Sequence, residues 1–210
     1  MATQIGVDVS HWDVDRRGGP IDWNAVKAAG YTFAFVKASD GSSSQYAEFG
    51  ANVKGALAAG LAVGAFHFLR PESDAASQAA NFLNHITAIG GMGLINFGLA
   101  VDVEDPDDAP GSWGTISQQD RAEKVLNWMA AVKVQASAPP YIYCIPNWFA
   151  QNVSTDPTFA TYPLWMAAPS GQPSLSGTSW SDYAIWQDSQ NATVDGIGSN
   201  SVDTDRTKPS

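Results

Sequence analysis

Leu99-Ala100-Val101-Asp102-Val103-Glu104-Asp105-Pro106 carries an apolar strand straight into three acids and a proline. Asp102 and Glu104 are two apart, so on a strand they share a face, with Cα atoms about 6.5–7 Å apart. They fall at the strand's C-terminal end, where α/β barrels build their active sites. Asp105, Asp107 and Asp108 read as the start of a polar loop. Asp102 and Glu104 do not: apolar neighbours surround them, and a buried charge without a partner is strongly unfavourable. Two carboxyls on one rigid element suit glycosidic bond cleavage. Repulsion and burial then raise one pKa and leave the other low, giving a general acid and a charge stabiliser.

Seven further runs read as strands: residues 5–9, 32–37, 61–68, 141–144, 163–167, 183–187 and 201–204, beside 98–103. Most are continuously apolar, the pattern of parallel strands covered on both faces. Amphipathic helical stretches separate the early ones. Asp22 caps 23–29, which Gly30 closes; 49–59 ends at Gly60; 74–89 ends at Gly90-Gly91; Ser117 caps a helix reaching 135. A short fifth helix follows Pro146 as far as Asn152. The chain therefore opens as alternating β and α elements, an α/β fold. Residues 171–179 and 189–200 are rich in Gly, Pro, Ser and Thr and do not look helical. The expectation is an irregular, TIM-like β/α barrel of eight strands and about five helices, whose late strands lack crossover helices. A complete eight-fold barrel takes about 250 residues, more than the 210 here, and a single domain is expected. No glycine-rich phosphate loop follows the first strand, which argues against a doubly wound dinucleotide sheet.

Other acids sit on strands as Asp102 does. Asp8 lies in Val7-Asp8-Val9 and Asp203 in Val202-Asp203-Thr204. First and last strands of a closed barrel are neighbours, so Asp8 and Asp203 are expected to meet beside the Asp102/Glu104 pair. Lys37, at the end of the second strand, is placed to balance these acids. His67, near the end of the third strand, reads equally as a substrate contact or as a hydrogen-bonded structural histidine. Tyr143, Trp148, Trp165 and Trp186 lie at or near late strand ends, and at least two are expected to line a sugar groove.

Hydrophobic residues are 44% of the chain and charged residues 15%, a balance that excludes disorder. No run of about 18 apolar residues exists to span a membrane as a helix. The chain enters a strand at residue 5 with no basic-then-apolar leader, so no signal peptide is expected. The net charge of −10 makes nucleic acid and anionic membranes poor partners. Cys144 is the single cysteine, and His11, His67 and His85 are scattered. No disulfide, metal site or other cofactor is expected.

Taken in order, these residues resemble glycoside hydrolase family 25, the Chalaropsis-type lysozymes. The likeness rests on Gly6-Val7-Asp8-Val9-Ser10, Ile21-Asp22-Trp23, Ala29-Gly30-Tyr31, Ala58-Ala59-Gly60-Leu61, Phe66-His67-Phe68, Val101-Asp102-Val103-Glu104, Leu164-Trp165-Met166-Ala167, Trp186-Gln187 and Val202-Asp203. It implies hydrolysis of the β-1,4 bond between N-acetylmuramic acid and N-acetylglucosamine in bacterial peptidoglycan. The family's proton donor corresponds to Glu104 and its partner carboxylate to Asp102, with Asp8 and Asp203 as further active-site acids. Phe66, His67, Tyr143, Trp165, Trp186 and Lys37 are the expected substrate contacts. Retention of configuration is implied, through either the substrate's acetamido group or a carboxylate nucleophile. The resemblance also implies a monomer acting outside the cytoplasm, secreted or phage-encoded. There are departures: His11-Trp12-Asp13 with an insertion at 16–19, Phe66 where tyrosine is common, and Asp205 as an alternative to Asp203.

Two other glycan readings compete. A chitinase-type barrel also ends a strand in Asp-x-Glu, but carries aspartates where this chain has Ala100 and Phe97. A non-catalytic glycan-binding barrel usually lacks the proton donor, and Glu104 is present. A serine hydrolase is disfavoured because no Gly-x-Ser-x-Gly elbow occurs.

Overall fold

The structure is a computed structural model that describes residues 2–11, 13, 18–168, 171 and 174–209. Trp12 and residues 16 and 17 of the insertion at 16–19 lie outside the described residues. In chain order the elements are β1 (Ile5–Val9), α1 (Trp23–Ala28), β2 (Phe33–Asp40), β3 (Ser44–Gln45), α2 (Phe49–Ala58), β4 (Ala62–Phe68), α3 (Ala75–Ile89), β5 (Gly98–Asp102), α4 (Gln118–Lys133), β6 (Tyr141–Cys144), α5 (Pro146–Asn152), β7 (Leu164–Ala167), β8 (Ile185–Ala192) and β9 (Val202–Thr207). The strands pair in the order β1-β9-β8-β7-β6-β5-β4-β2, and β1 pairs with β2 to close an eight-stranded ring. The two-residue β3 hangs on β2 outside the ring.

The helices begin where side chains satisfy their free N–H groups. Asp22 accepts from Asn24 and Ala25, Asp74 from Ser77, and Ser117 from Asp120. The chain leaves α2 through Gly60 at φ +81°, a conformation that costs a residue with a Cβ. Helices link the strands as far as β7. Among the described residues none separates β7 from β8 or β8 from β9.

Within the ring one strand runs against the rest. β1, β2 and β4 to β8 are parallel to one another along the ring, but β9 is antiparallel to both β8 and β1. A parallel partner needs a crossover of about a dozen residues or more, and residues 193–201 alone link β8 to β9. β8 also continues to Ala192, past the expected end, because Ser189 and Ala192 pair with Thr204 and Val202.

Residues alternate between the barrel interior and the helix layer. Val7, Val36, Val63, Val101, Ile142 and Met166 face outward and pack with Val26, Val53, Phe82, Trp128 and Phe149. Phe33, Phe35, Phe66, Ala100, Tyr143, Trp165 and Ile185 fill the interior as a second cluster. Phe35 stacks on Trp165 with ring centres 4.3 Å apart. Room for these rings comes from Gly6 and Gly64, where a Cβ would lie 2.2 Å from the Phe33 ring and 2.3 Å from the Phe35 ring. The barrel interior is thus plugged by aromatics, beneath a cleft at its upper rim.

Candidate active site

The inward side chains at the top of the ring form one cleft of about 410 Å³. Asp8, Lys37, Phe66, Phe68, Asp102, Tyr143 and Trp165 reach it from the parallel strands, and Glu104 and Asp107 from the loop after β5. Asp203 reaches it from the first turn of β9. Because β9 runs downward, its N-terminal end sits beside the C-terminal end of β1, and Asp203 is directly opposite Asp8. Ser10, Asp13, Gln190, Ser199 and Ser201 form the opposite rim.

Gln187, buried beneath the cleft, links three of the residues that line it. Tyr143 Oη donates to Gln187 Oε1 at 2.9 Å. Gln187 Nε2 donates to Asp8 Oδ2 at 2.9 Å and to Asp203 Oδ2 at 3.3 Å. Asp205 lies deeper, 1% exposed, where Trp165 Nε1 donates to its Oδ1 at 2.7 Å. Asp203 is therefore the acid in the cleft and Asp205 the acid beneath it. Burial and the facing Asp8 carboxyl push Asp203 up to about 8. Burial, followed by repulsion from Asp205, likewise drives Asp8 well above the usual carboxylate range.

Asp102 is the last residue of β5 and Glu104 lies two residues beyond it, in a bend. Burial, then the neighbouring Asp107, pushes Glu104 up to about 7, against an opposing pull from Lys37. Asp102 is also raised, by burial first and by Glu104 second. Two carboxyls competing in one buried site retain a proton into the neutral range. Asp102 Oδ1 is buried and has no hydrogen-bond partner among the described residues. The Asp102 side chain as a whole lines the cleft. Lys37 Nζ lies 3.5 Å from Asp40 and 4.6 Å from the centre of the Phe68 ring, held at the wall by an ion pair and a cation–π contact.

Two expected substrate contacts are corrected by the strand phase. His67 points away from the cleft. Its Nδ1 is 2.8 Å from Ser39 Oγ, its Nε2 is 3.3 Å from Gln78 Oε1, and its ring stacks on Trp128 of α4. It is fully buried, and burial lowers its pKa to about 4. Trp186 also faces outward, donating from Nε1 to the Ala168 carbonyl, while its neighbour Gln187 faces in. Trp148 packs edge-on against Trp113, outside the cleft lining. Phe66, Tyr143, Trp165 and Lys37 do line the cleft, as do Asp8, Asp102, Glu104 and Asp203. Phe68, Asp13 and Asp107 are additions to the lining, and Gln187 is an addition beneath it, bonded to Tyr143, Asp8 and Asp203. Phe68 and Gln187 each stand one residue from a position singled out in the sequence, on the opposite face of the strand.

A closed β/α ring with paired carboxyls over an aromatic floor is the architecture of a glycoside hydrolase. Residues 7–197 match the family described as Glycosyl hydrolases family 25, and the chain belongs to that family. It is 30% identical to Lysozyme M1 of Streptomyces globisporus over 214 residues, covering 97% of this chain and 66% of that protein. The chain thus spans just under two thirds of that relative's length. It is 26% identical to the N,O-diacetylmuramidase of Chalaropsis sp., covering 86% of this chain and 88% of that protein. The bacterial lysozyme from Streptomyces coelicolor, a crystal structure, superposes with a TM-score of 0.80 at 26% identity, covering 100% of this chain and 94% of that one.

Proposed function

We propose that this chain is a muramidase, hydrolysing the β-1,4 bond between N-acetylmuramic acid and N-acetylglucosamine in bacterial peptidoglycan. The observation that carries the reading is the Asp102/Glu104 pair lining one cleft, Glu104 half-buried and Asp102 buried beside it. The relatives named a lysozyme and an N,O-diacetylmuramidase support it.

Glu104 is the general acid. Its raised pKa keeps a proton available for the glycosidic oxygen as the C1–O bond breaks. The acetamido carbonyl oxygen of the same sugar attacks C1 and forms an oxazolinium ion. Its N–H donates to the Asp102 carboxylate, which holds Asp102 as the anion and leaves the pair's proton on Glu104. Glu104, now a carboxylate, then takes a proton from water as that water opens the ring, with net retention. Direct attack by a carboxylate on C1 is the alternative for the same residues. Asp8 and Asp203, sharing Gln187, accept sugar hydroxyls on the other side of the cleft. Phe66, Tyr143 and Trp165 supply the apolar floor for a pyranose ring. The site of action is the cell wall.

Clearing of a suspension of bacterial walls tests this. The wild type is expected to lower the turbidity and Glu104→Gln to lose on the order of 10²–10⁴ in rate while still folding. Walls left intact, with chitin oligomers cut instead, would transfer the site to a chitinase-like reaction. Binding without cleavage would make the barrel a lectin.

A further inference from the structure

The sheet does not hold the residue read above as the general acid. β5 ends at Asp102, and the ladder toward β6 makes its last bond from Val103 N–H to the Tyr143 carbonyl, at 2.9 Å. Glu104 is already in the loop. Its carbonyl accepts a 2.8 Å hydrogen bond from Trp113 Nε1. Trp113 is 1% exposed, in a 3-10 turn nine residues further along the chain. Beside it, Asp105 accepts the Gly111 N–H at both oxygens, 3.0 and 2.8 Å. Pro106 confines Asp105 to extended conformations. The loop is thus stapled back on itself at the residue that follows Glu104 and on the Glu104 carbonyl.

We propose that Trp113 is a positioning residue for Glu104: its buried indole N–H fixes the Glu104 peptide and thereby aims the carboxyl into the cleft. The inference rests on the reading of Glu104 as proton donor and adds the device that orients it. Without that bond the peptide can rotate and swing the carboxyl toward solvent. A displacement of about 1 Å in a reacting group can cost on the order of 10²-fold in rate.

The test is steady-state cleavage of a soluble peptidoglycan oligosaccharide by Trp113→Phe, which keeps an aromatic ring and removes the donor. The expected result is a kcat lower by about ten- to a hundred-fold, with KM changed by less than about twofold. The alkaline limb of the rate profile should also move to lower pH as Glu104 gains exposure to water. Asp102, Asp107, Lys37, Tyr143 and Asp203 face Glu104 and are untouched by the substitution.

Trp180→Phe is the matched control. Trp180 is also buried and donates its indole N–H to a main-chain carbonyl, that of Tyr162 at 3.1 Å, outside the cleft lining. It should lose stability and keep kcat and the pH limb. A Trp113→Phe variant that behaves in the same way overturns the inference. If Trp113→Phe does not fold, a benzothienyl isostere of tryptophan at position 113 keeps the shape without the N–H and carries the same expectation. A wild type inert on the substrate would refute the parent reading and this inference together. An active wild type, abolished by Glu104→Gln and unaffected by loss of the position 113 donor, would refute this inference alone.

Discussion

Asp8 and Asp203 face each other directly across β1 and β9, and a single amide nitrogen, that of Gln187, donates to both carboxyls. Opposed like charges in a sheet are destabilising. A proton kept on Asp203 removes the conflict, and this gives the chain an unusual pH dependence.

Asp203 titrates near 8 in the folded chain against an ordinary value of 3.8. Between those values the folded chain binds more protons than the unfolded one, so stability falls as pH rises. The contribution is full below about pH 4 and gone once the pH has passed through about 8. Asp8, Asp102 and Asp205 are shifted in the same direction, each chiefly by burial. Thermal melts should therefore show a higher Tm at pH 5 than at pH 8. Asp203→Asn should flatten that slope and raise Tm at pH 8 by about 2–4 °C. Identical pH slopes for the two proteins would contradict a protonated Asp203.

Gln187 is 1% exposed and links Tyr143, Asp8 and Asp203. Gln187→Leu leaves a phenol and two carboxyls without their partner. It should cost about 1–3 kcal/mol in urea unfolding and lower kcat/KM by about tenfold or more. Unchanged activity would mean the Asp8/Asp203 side of the cleft takes no part in the reaction.

His67→Ala separates packing from substrate contact. The ring fills space between Phe82 and Trp128, so its loss should destabilise the fold by about 2–4 kcal/mol. KM for wall fragments should stay as in the wild type. A raised KM without a stability loss would return His67 to the substrate.

Lys37 opposes the upward shifts of both Asp102 and Glu104. Lys37→Met removes that pull, so the alkaline limb of the activity profile, set near 7 by Glu104, should move up by about one unit. The anionic form of Asp102 loses support at the same time, and kcat should fall. A limb that stays in place would uncouple Lys37 from the pair.

Much of this site was legible because its signals are local. Capping residues, glycines after helices and the apolar run into Asp102 announce their elements directly. Closure of the ring followed from eight strands, and with it the meeting of Asp8 and Asp203. What the sequence withheld was phase and direction. A strand apolar on both faces does not reveal which residues point inward, so Phe66-His67-Phe68 and Trp186-Gln187 located the wall without saying which side chains cross it. The antiparallel course of β9 depends on the short link at 193–201 rather than on any residue of β9. Gln187 acquires its role only from carboxyls distant in the chain, and Trp113 only from the fold of its loop.

The central claim is that Glu104 protonates the leaving oxygen of a muramyl linkage. Mass analysis of borohydride-reduced digestion products reads the bond directly. The account predicts fragments from the wild type that end in reduced N-acetylmuramic acid, and almost none from Glu104→Gln. Fragments ending in reduced N-acetylglucosamine, or equal yields from the two proteins, would contradict it.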